Sequence, residues 1–265
     1  RVFNGADPGD YCGMPVSIGN VNGNARKDLV IGAYEADGPS NARPGCGELY
    51  VYNGRARNNV PATVNLRTTR NSVIYGASAG DGLPYSLCNP CKNLNNDGYD
   101  DLVMGAAAAD GPGDARPDCG EAYAVLGGSL PAAKDLASSP ANVTLYGAAA
   151  GNMAGVSVAA PRHTGGAYRD IVVGSISAGY AGRPGCGMTW LATGRASWPA
   201  TVDLASSADV VFLGAEAYDA FGYGLSSADI NGSGSEELVI GSLNGKGPGN
   251  TRPYCGEHFI FLGAP

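Results

Sequence analysis

The chain of 265 residues contains only two histidines, five phenylalanines and two tryptophans, and charged residues make up 15% of it. None of its apolar runs is long enough to cross a bilayer, and no segment has the periodicity of an amphipathic helix. Because histidine is so scarce, a Ser-His or Cys-His catalytic site has few possible members. These absences argue against a membrane-spanning protein, a helical bundle and a hydrolase, so we do not expect an enzyme.

Glycine is abundant instead, with 42 residues, and 17 prolines accompany it. Hydrophobic residues still make up 44% of the chain, which is enough apolar surface for a folded core. Glycine supplies the positive φ angles that tight turns need. The composition therefore predicts an all-β protein with many short strands.

The net charge of −7 and the pI of about 4.8 argue against nucleic acid or an anionic membrane as a partner and suit cation binding. Seven cysteines favour an oxidising compartment, so we expect a secreted, extracellular or cell-surface protein. Asn142 begins an Asn-Val-Thr sequon, which predicts a glycoprotein if the host glycosylates asparagine.

Four copies of one sequence unit follow each other along the chain. Each copy has an acidic residue, an apolar triplet and a glycine in succession, at 28–32, 101–105, 170–174 and 237–241. Each also has an Arg-Pro-x-Cys-Gly segment, at 43–47, 116–120, 183–187 and 252–256. Equivalent glycines are spaced by 71, 71 and 67 residues: Gly5, Gly76, Gly147 and Gly214. A unit of this length holds about four short strands.

Two of the units carry a recognisable pattern. Tyr-Ser-Leu at 85–87, followed by Asn-Leu-Asn-Asn-Asp-Gly-Tyr-Asp-Asp-Leu-Val-Met-Gly-Ala at 93–106, resembles the FG-GAP repeat of integrin α-subunit propellers and related bacterial, fungal and algal proteins. Residues 221–225 and 229–242 are similar to a second copy. The resemblance implies a β-propeller with four-stranded antiparallel blades and a structural role for calcium.

Propellers of that family usually have seven blades, whereas this chain has four units. Either the four units close into a ring or they are part of a larger array. We expect a single propeller domain over 1–265, with blades at about 5–75, 76–146, 147–213 and 214–265 plus 1–4. In this arrangement the N-terminal strand, Val2-Phe3-Asn4, completes the last blade and closes the ring.

The polar loop between the first two strands of each unit is the strongest chemical signal. Its D-x-[DN]-x-D-G-x-x-D spacing places side-chain oxygens at positions 1, 3, 5 and 9 around one point, which suits Ca²⁺. The best candidate ligands are Asn93, Asn95, Asp97 and Asp101. The fourth unit offers Asp229, Asn231, Ser233 and Glu237, and the first offers Asn20, Asn22, Asn24 and Asp28. In the third unit Arg162 occupies position 1 and disfavours a cation. The alternative is an Asx-rich turn without metal.

The cysteines divide into one per unit and three extras: Cys46, Cys119, Cys186 and Cys255, with Cys12, Cys88 and Cys91. Cys88-Asn-Pro-Cys91 matches the spacing of a redox or metal motif, but no second pair suits zinc. We therefore expect disulfides, with some pairs between the two groups, and because the count is odd at least one thiol is free or pairs between molecules.

The Arg-Pro segments place one arginine in each unit: Arg43, Arg116, Arg183 and Arg252. They either brace their loops by pairing with nearby glutamates or grip a carboxylate or sulfate on a ligand. The function that we expect is an extracellular, calcium-binding recognition or adhesion module, whose partner is an extracellular protein or glycan. The alternatives are a carbohydrate-binding lectin and a structural subunit that self-assembles into an extracellular polymer.

Overall fold

The computed structural model describes residues 1–264, which form β-strands joined by turns. The strands of the first half are β1 (Val2–Asn4), β2 (Val16–Gly19), β3 (Asp28–Ala33), β4 (Glu48–Tyr52), β5 (Thr63–Asn65), β6 (Ser72–Tyr75), β7 (Ser86–Leu87), β8 (Leu102–Ala106), β9 (Glu121–Val125) and β10 (Ala133–Asp135). Those of the second half are β11 (Val143–Tyr146), β12 (Ser157–Ala159), β13 (Ile171–Ser175), β14 (Met188–Ala192), β15 (Thr201–Asp203), β16 (Val210–Leu213), β17 (Phe221–Ala228), β18 (Glu237–Ser242) and β19 (Glu257–Phe261).

Helical structure in residues 1–264 is confined to single turns. The α-helical turn is α1 (Leu66–Thr69), and the 3₁₀ turns are Pro39–Asn41, Arg57–Asn59, Pro112–Asp114 and Pro248–Asn250. None of these is long and apolar enough to cross a membrane. The all-β prediction is confirmed.

The strands form five separate sheets. Sheet I has the order β10-β6-β4-β3-β2, sheet II β15-β11-β9-β8-β7, sheet III β12-β13-β14-β16 and sheet IV β17-β18-β19, while β1 and β5 form a two-stranded pair. Within sheets I to III, four antiparallel strands come from one repeat. Sheets I and II also have a fifth, parallel strand, β10 or β15, which the next repeat supplies.

The prediction of a four-bladed closed propeller is wrong. The sheets have two to five strands, and the N-terminal strand β1 pairs in parallel with β5, with Phe3 opposite Val64. No strand within residues 1–264 lies on the outer edge of β19, so β1 does not complete sheet IV. Strand β5, on the link from β4 to β6, pairs with one edge of β1 and holds it at the first repeat, while the other edge of β1 has no partner strand in residues 1–264.

Apolar contacts between successive sheets form the core. Most strand residues of sheets I to III are buried on both faces, which explains why their second strands are continuous Val, Ile and Leu runs. The cluster between sheets I and II includes Val30, Leu49, Leu102 and Tyr123. Equivalent clusters join sheet II to sheet III around Trp190, and sheet III to sheet IV. Each repeat therefore depends on its neighbour for burial of its apolar faces.

Glycines after the cysteines set how closely the repeats approach. Gly47, Gly120 and Gly187 have φ angles of 81°, 75° and 82°. A Cβ atom on Gly120 would lie 2.0 Å from the carbonyl oxygen of Ala154, which belongs to the next repeat. Gly113 also has a positive φ, 62°, but a Cβ atom there would meet no heavy atom within 4 Å.

We expect Gly120→Ala to destabilise the protein much more than Gly113→Ala. The control substitution costs about 1 kcal/mol because an L-residue is strained at positive φ. Gly120→Ala adds a backbone clash between repeats, and we expect a further loss of about 2 kcal/mol or more. Urea unfolding of both variants measures the difference, and equal losses would contradict the role assigned to the close approach.

Candidate functional site: the polar loops and the Arg-Pro segments

The acidic residue that ends each polar loop is a buried hydrogen-bond centre. The four are Asp28, Asp101, Asp170 and Glu237, and each is at most 1% exposed. Each carboxylate accepts N–H groups from its own loop and from the glycine that follows the third strand of the repeat. These contacts brace the loop whether or not a metal is bound.

The loop of the second repeat has the geometry that best suits a cation. The Asp101 carboxylate accepts the N–H groups of Leu94 at 2.6 Å and Gly127 at 2.8 Å. Asn95 Oδ1 accepts the N–H of Asp97, and Gly98 makes the sharp turn with a φ of 94°. The loop is thus held by hydrogen bonds between its own polar side chains and backbone.

Two observations fit calcium at this loop. The side-chain oxygen of Asn93, at position 1, is buried and has no hydrogen-bond partner among residues 1–264. Burial also raises the pKa of the Asp101 carboxyl to about 6, because the charged form is removed from water. A divalent cation would satisfy the Asn93 oxygen and compensate for the buried charge. Over residues 1–264, no group of three or more His, Cys, Asp or Glu side chains is placed to hold a metal ion, so amide and backbone oxygens would complete the site.

The other loops fit less well. In the first loop Asn20 Oδ1 is likewise buried without a described partner, but Asp28 is its only carboxylate. In the fourth loop the buried Glu237 already accepts the backbone N–H and the side-chain amide of Asn231, whereas Asp101 accepts two backbone N–H groups only. Asn22 and Asn24 of the first loop accept backbone N–H groups.

In the third loop Thr164 donates to Asp170 at 2.8 Å, and Arg162 donates to Asn96 of the preceding repeat. Side chains of the protein itself therefore satisfy the acid of this loop, and Arg162 places a positive charge where position 1 would hold a ligand.

The arginines of the Arg-Pro segments act as braces between repeats. Arg43 makes two hydrogen bonds to Asp135, at 2.7 and 2.9 Å, and Arg116 makes two to Asp203, at 3.0 and 2.8 Å. These bonds lower the pKa of both aspartates. Arg183 donates to the carbonyl oxygens of Gly214 and Ala215 instead.

The glutamates that follow the cysteines have different partners. Glu48 accepts the hydroxyl proton of Tyr50 at 2.5 Å, and Glu121 accepts that of Tyr123. The partners of Arg43 and Arg116 are instead aspartates about 90 positions further along the chain, on β10 and β15, which sequence spacing did not indicate.

All seven cysteines lie in the described range, and each is a free thiol, so the expected disulfides do not form in this structure. Cys91 lies 3.4 Å from the hydroxyl of Ser17, while the thiol of Cys88 points to the carbonyl of Pro90. Burial raises the pKa of Cys88 to about 11 and of Cys91 to about 12, which disfavours the reactive thiolate.

The three equivalent cysteines Cys46, Cys119 and Cys186 are fully buried in separate repeats, whereas Cys12 is half-buried and Cys255 is exposed.

Sequence reasoning missed an acidic pocket of about 170 Å³ in the second repeat, lined by the buried Asp81 and Glu121 and the exposed Asp114. Asp81 is 4% exposed, and its carboxylate accepts the N–H of Ser78. Burial and the nearby acids raise the pKa of Asp81 to about 7. The equivalent residue of the third repeat is the neutral Asn152.

A tyrosine cluster is the other feature that sequence reasoning did not assemble. Tyr11 and Tyr34 stack with ring centroids 5.7 Å apart, and Tyr85 meets Tyr34 edge-on at 6.3 Å. Tyr11 is 67% exposed and Tyr85 is 40% exposed. Asn142 is also exposed, as a glycosylation site requires, and its side chain accepts the N–H of Leu126.

No family model matches the chain.

We expect the free energy of unfolding to fall as the pH rises from about 4 to about 7. Because the pKa of Asp81 is about 7 in the folded state against an ordinary 3.8, the folded state binds more protons over this range. Asp81→Asn keeps an acceptor for Ser78 but does not titrate. The substitution should reduce the fall in the free energy of unfolding between pH 4 and pH 7 by no more than about 4 kcal/mol.

Chemical denaturation at pH 4 and pH 7 measures this effect, with Asp118→Asn, at an exposed aspartate, as the control. The pKa values of Asp10, Glu48 and Glu121 are also raised by burial, so the variant should retain part of the slope. An unchanged slope in Asp81→Asn would contradict the prediction.

Proposed function

We propose that the chain is a non-catalytic repeat scaffold of the FG-GAP type, braced by structural calcium, that acts outside the cell in recognition or adhesion. The observation that carries the calcium proposal is the buried, unpartnered Asn93 oxygen in the loop whose acid, Asp101, is also buried. Loop residues Asn93, Asn95, Asp97 and Asp101 would hold the ion, and its charge would compensate for the buried acid.

The small number of carboxylates in the second loop implies weak calcium binding, which supports a location outside the cell. The second loop has two acidic side chains, Asp97 and Asp101, and affinity for calcium falls as fewer charged ligands contribute. Sites of about 10⁻⁴ to 10⁻³ M are typical of extracellular modules and fill only where calcium is abundant. Calcium would therefore stabilise this protein outside the cell and leave it weakly loaded inside.

The ion would be structural, because the carboxylates of the loop would serve as its ligands and the loop contains no histidine that could act as a general base. The two histidines lie elsewhere: His163 is beside Glu236, and His258 is on β19. Calcium would fix the position of this loop. Because the Asp101–Gly127 hydrogen bond joins the loop to the end of the third strand, the ion would also hold that end of the strand in place.

We expect saturating calcium to raise the melting temperature of the protein and Asp97→Asn to remove most of this response. Asp97 is exposed and accepts the N–H of Tyr99 and the side-chain amide of Asn95, each at 2.9 Å; asparagine can keep the first bond, so the substitution removes a charge and one exposed side-chain hydrogen bond. A calcium concentration of one hundred times the Kd should add about 2.7 kcal/mol. Differential scanning calorimetry with and without EGTA measures it.

Asp110→Asn is the matched control, since Asp110 also accepts a backbone N–H, from Asp118, but lies outside the loop. It should retain the full calcium response. If EGTA leaves the melting temperature of the wild-type chain unchanged, the calcium proposal is wrong.

The tyrosine cluster favours carbohydrate as the ligand within this proposal. Exposed aromatic faces stack on the apolar faces of sugars, and they lose little side-chain entropy when they do so. A groove of about 180 Å³ lined by Tyr34, Tyr85, Glu35 and Asp81 lies beside them, so carboxylates are within reach of hydroxyl groups. The Arg-Pro arginines are a poorer choice, because Arg43 and Arg116 already hold aspartates.

We expect Tyr11→Ala combined with Tyr85→Ala to weaken glycan binding by about tenfold or more, which corresponds to about 1.4 kcal/mol. Tyr218→Ala is the control, because Tyr218 is also 67% exposed but lies outside the cluster. A glycan array followed by calorimetric titration measures binding. Equal binding by both variants would exclude the cluster as the sugar site.

A further inference from the structure

Three junctions inside the chain follow one rule. The third strand of a repeat pairs along its outer edge with an antiparallel strand that leads into the next repeat: β4 with β6, β9 with β11 and β14 with β16. The register is the same each time, with Leu49 opposite Ile74, Ala122 opposite Leu145 and Thr189 opposite Phe212. The glycine after the strand then donates its N–H to the glycine after the cysteine.

The two ends of the chain each hold half of a fourth junction. Strand β1, Val2-Phe3-Asn4 followed by Gly5, occupies the place of β6, β11 and β16 in the repeat pattern. It pairs with β5 along one edge only. At the opposite end, β19 pairs with β18, and its outer edge has no strand from the described residues.

The side chains around β19 show the same missing contacts. Arg43, Arg116 and Arg183 donate to the carbonyl oxygens of Gly76, Gly147 and Gly214, whereas Arg252 donates to no residue in 1–264. Cys46, Cys119 and Cys186 are 0% exposed, but Cys255 is exposed. A strand equivalent to β1 would bring Gly5 to Arg252 and cover Cys255.

Apolar residues that the internal junctions bury are exposed at both ends. At the C-terminal end Ile260 is 58% exposed and Ile230 is 59% exposed, while their counterparts Val51 and Val21 are 1% and 0% exposed. At the N-terminal end Ile18 is 50% exposed, against 9% for its counterpart Leu87. Each end therefore presents one of the two surfaces that meet at an internal junction.

The charges of the two ends are complementary. Residues 1–71 contain eight Lys or Arg and six Asp or Glu, whereas residues 214–265 contain two and six. Next to β1, a groove of about 530 Å³ is lined by Phe3, Tyr52, Arg26, Lys27, Arg55 and Arg57. Opposite charge on two ends steers their encounter and disfavours contact between like ends.

We infer that the chain self-associates head to tail, with β1 of one copy adding to the free edge of β19 in the next. By analogy with the internal register, Glu257 lies opposite Asn4, His258 opposite Phe3, and Phe259 opposite Val2. Strand β5 travels with β1, so the junction completes a five-stranded sheet with the order of sheets I and II. The contact is heterologous and generates an open polymer or a ring. This inference goes beyond the proposed scaffold and does not depend on calcium.

The test is light scattering of the 265-residue chain over a range of concentrations, in EGTA and under reducing conditions. The mass of the wild-type chain should rise from 26.7 kDa to at least about twice that value as the protein is concentrated. Ile260→Lys should remain a monomer, because a lysine on the edge strand disfavours pairing and its charge would meet the basic end of the next copy. Val211→Lys is the control: Val211 is 42% exposed on the edge strand β16 and lies outside the junction. It should associate like the wild type.

A second measurement uses the unmodified chain. Maleimide labelling of Cys255, followed by mass spectrometry, should slow by about tenfold or more as the protein associates, because β1 of the next copy covers the exposed thiol. A wild-type mass that stays at 26.7 kDa up to millimolar concentration would overturn the inference and assign the β19 edge to another partner. Association without protection of Cys255, or loss of association in both lysine variants, would overturn it too. Since the test is done in EGTA, its failure leaves the calcium proposal untouched, and a missing calcium response leaves this inference untouched.

Discussion

Sheets I to III each depend on backbone hydrogen bonds to a strand that connects the sheet with the next repeat. The third strand of each of the first three repeats would be an open edge if β6, β11 and β16 did not pair with it. An open edge exposes a row of unpaired N–H and C=O groups, which cost free energy when they are removed from water and invite pairing with other chains. A repeat therefore needs its neighbour both to pair the backbone groups of its third strand and to bury its apolar side chains.

The parallel strands β5, β10 and β15 extend this dependence. They pair in parallel with the strands that lead into their own repeats: β5 with β1, β10 with β6 and β15 with β11. Strands β10 and β15 also carry the aspartates that form ion pairs with Arg43 and Arg116. The burial of the outer strands reflects this cover: β6 and β11 are largely buried, whereas β16 has no parallel partner in residues 1–264 and its Val210 and Val211 are exposed. The lower burial of β16 than of β6 and β11 therefore follows from the missing parallel strand and needs no difference in the sequences of the repeats.

Each repeat also buries one acidic side chain at the end of its polar loop. Asp28, Asp101, Asp170 and Glu237 lie in the core end of each polar loop, where burial costs a carboxylate its hydration. Backbone N–H groups offset part of this cost, and in the third repeat the hydroxyl of Thr164 contributes as well. The second loop has fewer such donors and an unpartnered Asn93 oxygen, so the same frame offers a place for a cation there. The proposed metal site and the metal-free turns would thus be variants of one structure that differ in a few side chains.

The sequence by itself determined the all-β class, the four repeats, the polar loops and the absence of a long apolar helix, because these properties depend on residue composition and short-range spacing. Only the tertiary structure decided which strands share a sheet. Val2-Phe3-Asn4 has the pattern of a strand that pairs with β19, yet it pairs only with β5, because the packing of successive sheets, which local spacing does not encode, decides whether the last repeat reaches the first. Only the structure paired Arg43 with Asp135 and separated the thiols of Cys88 and Cys91, because partners about 90 residues apart and the directions of side chains have no signature in local spacing. The repeat pattern predicts what one unit looks like, whereas the contacts between units decide whether the array closes or stays open.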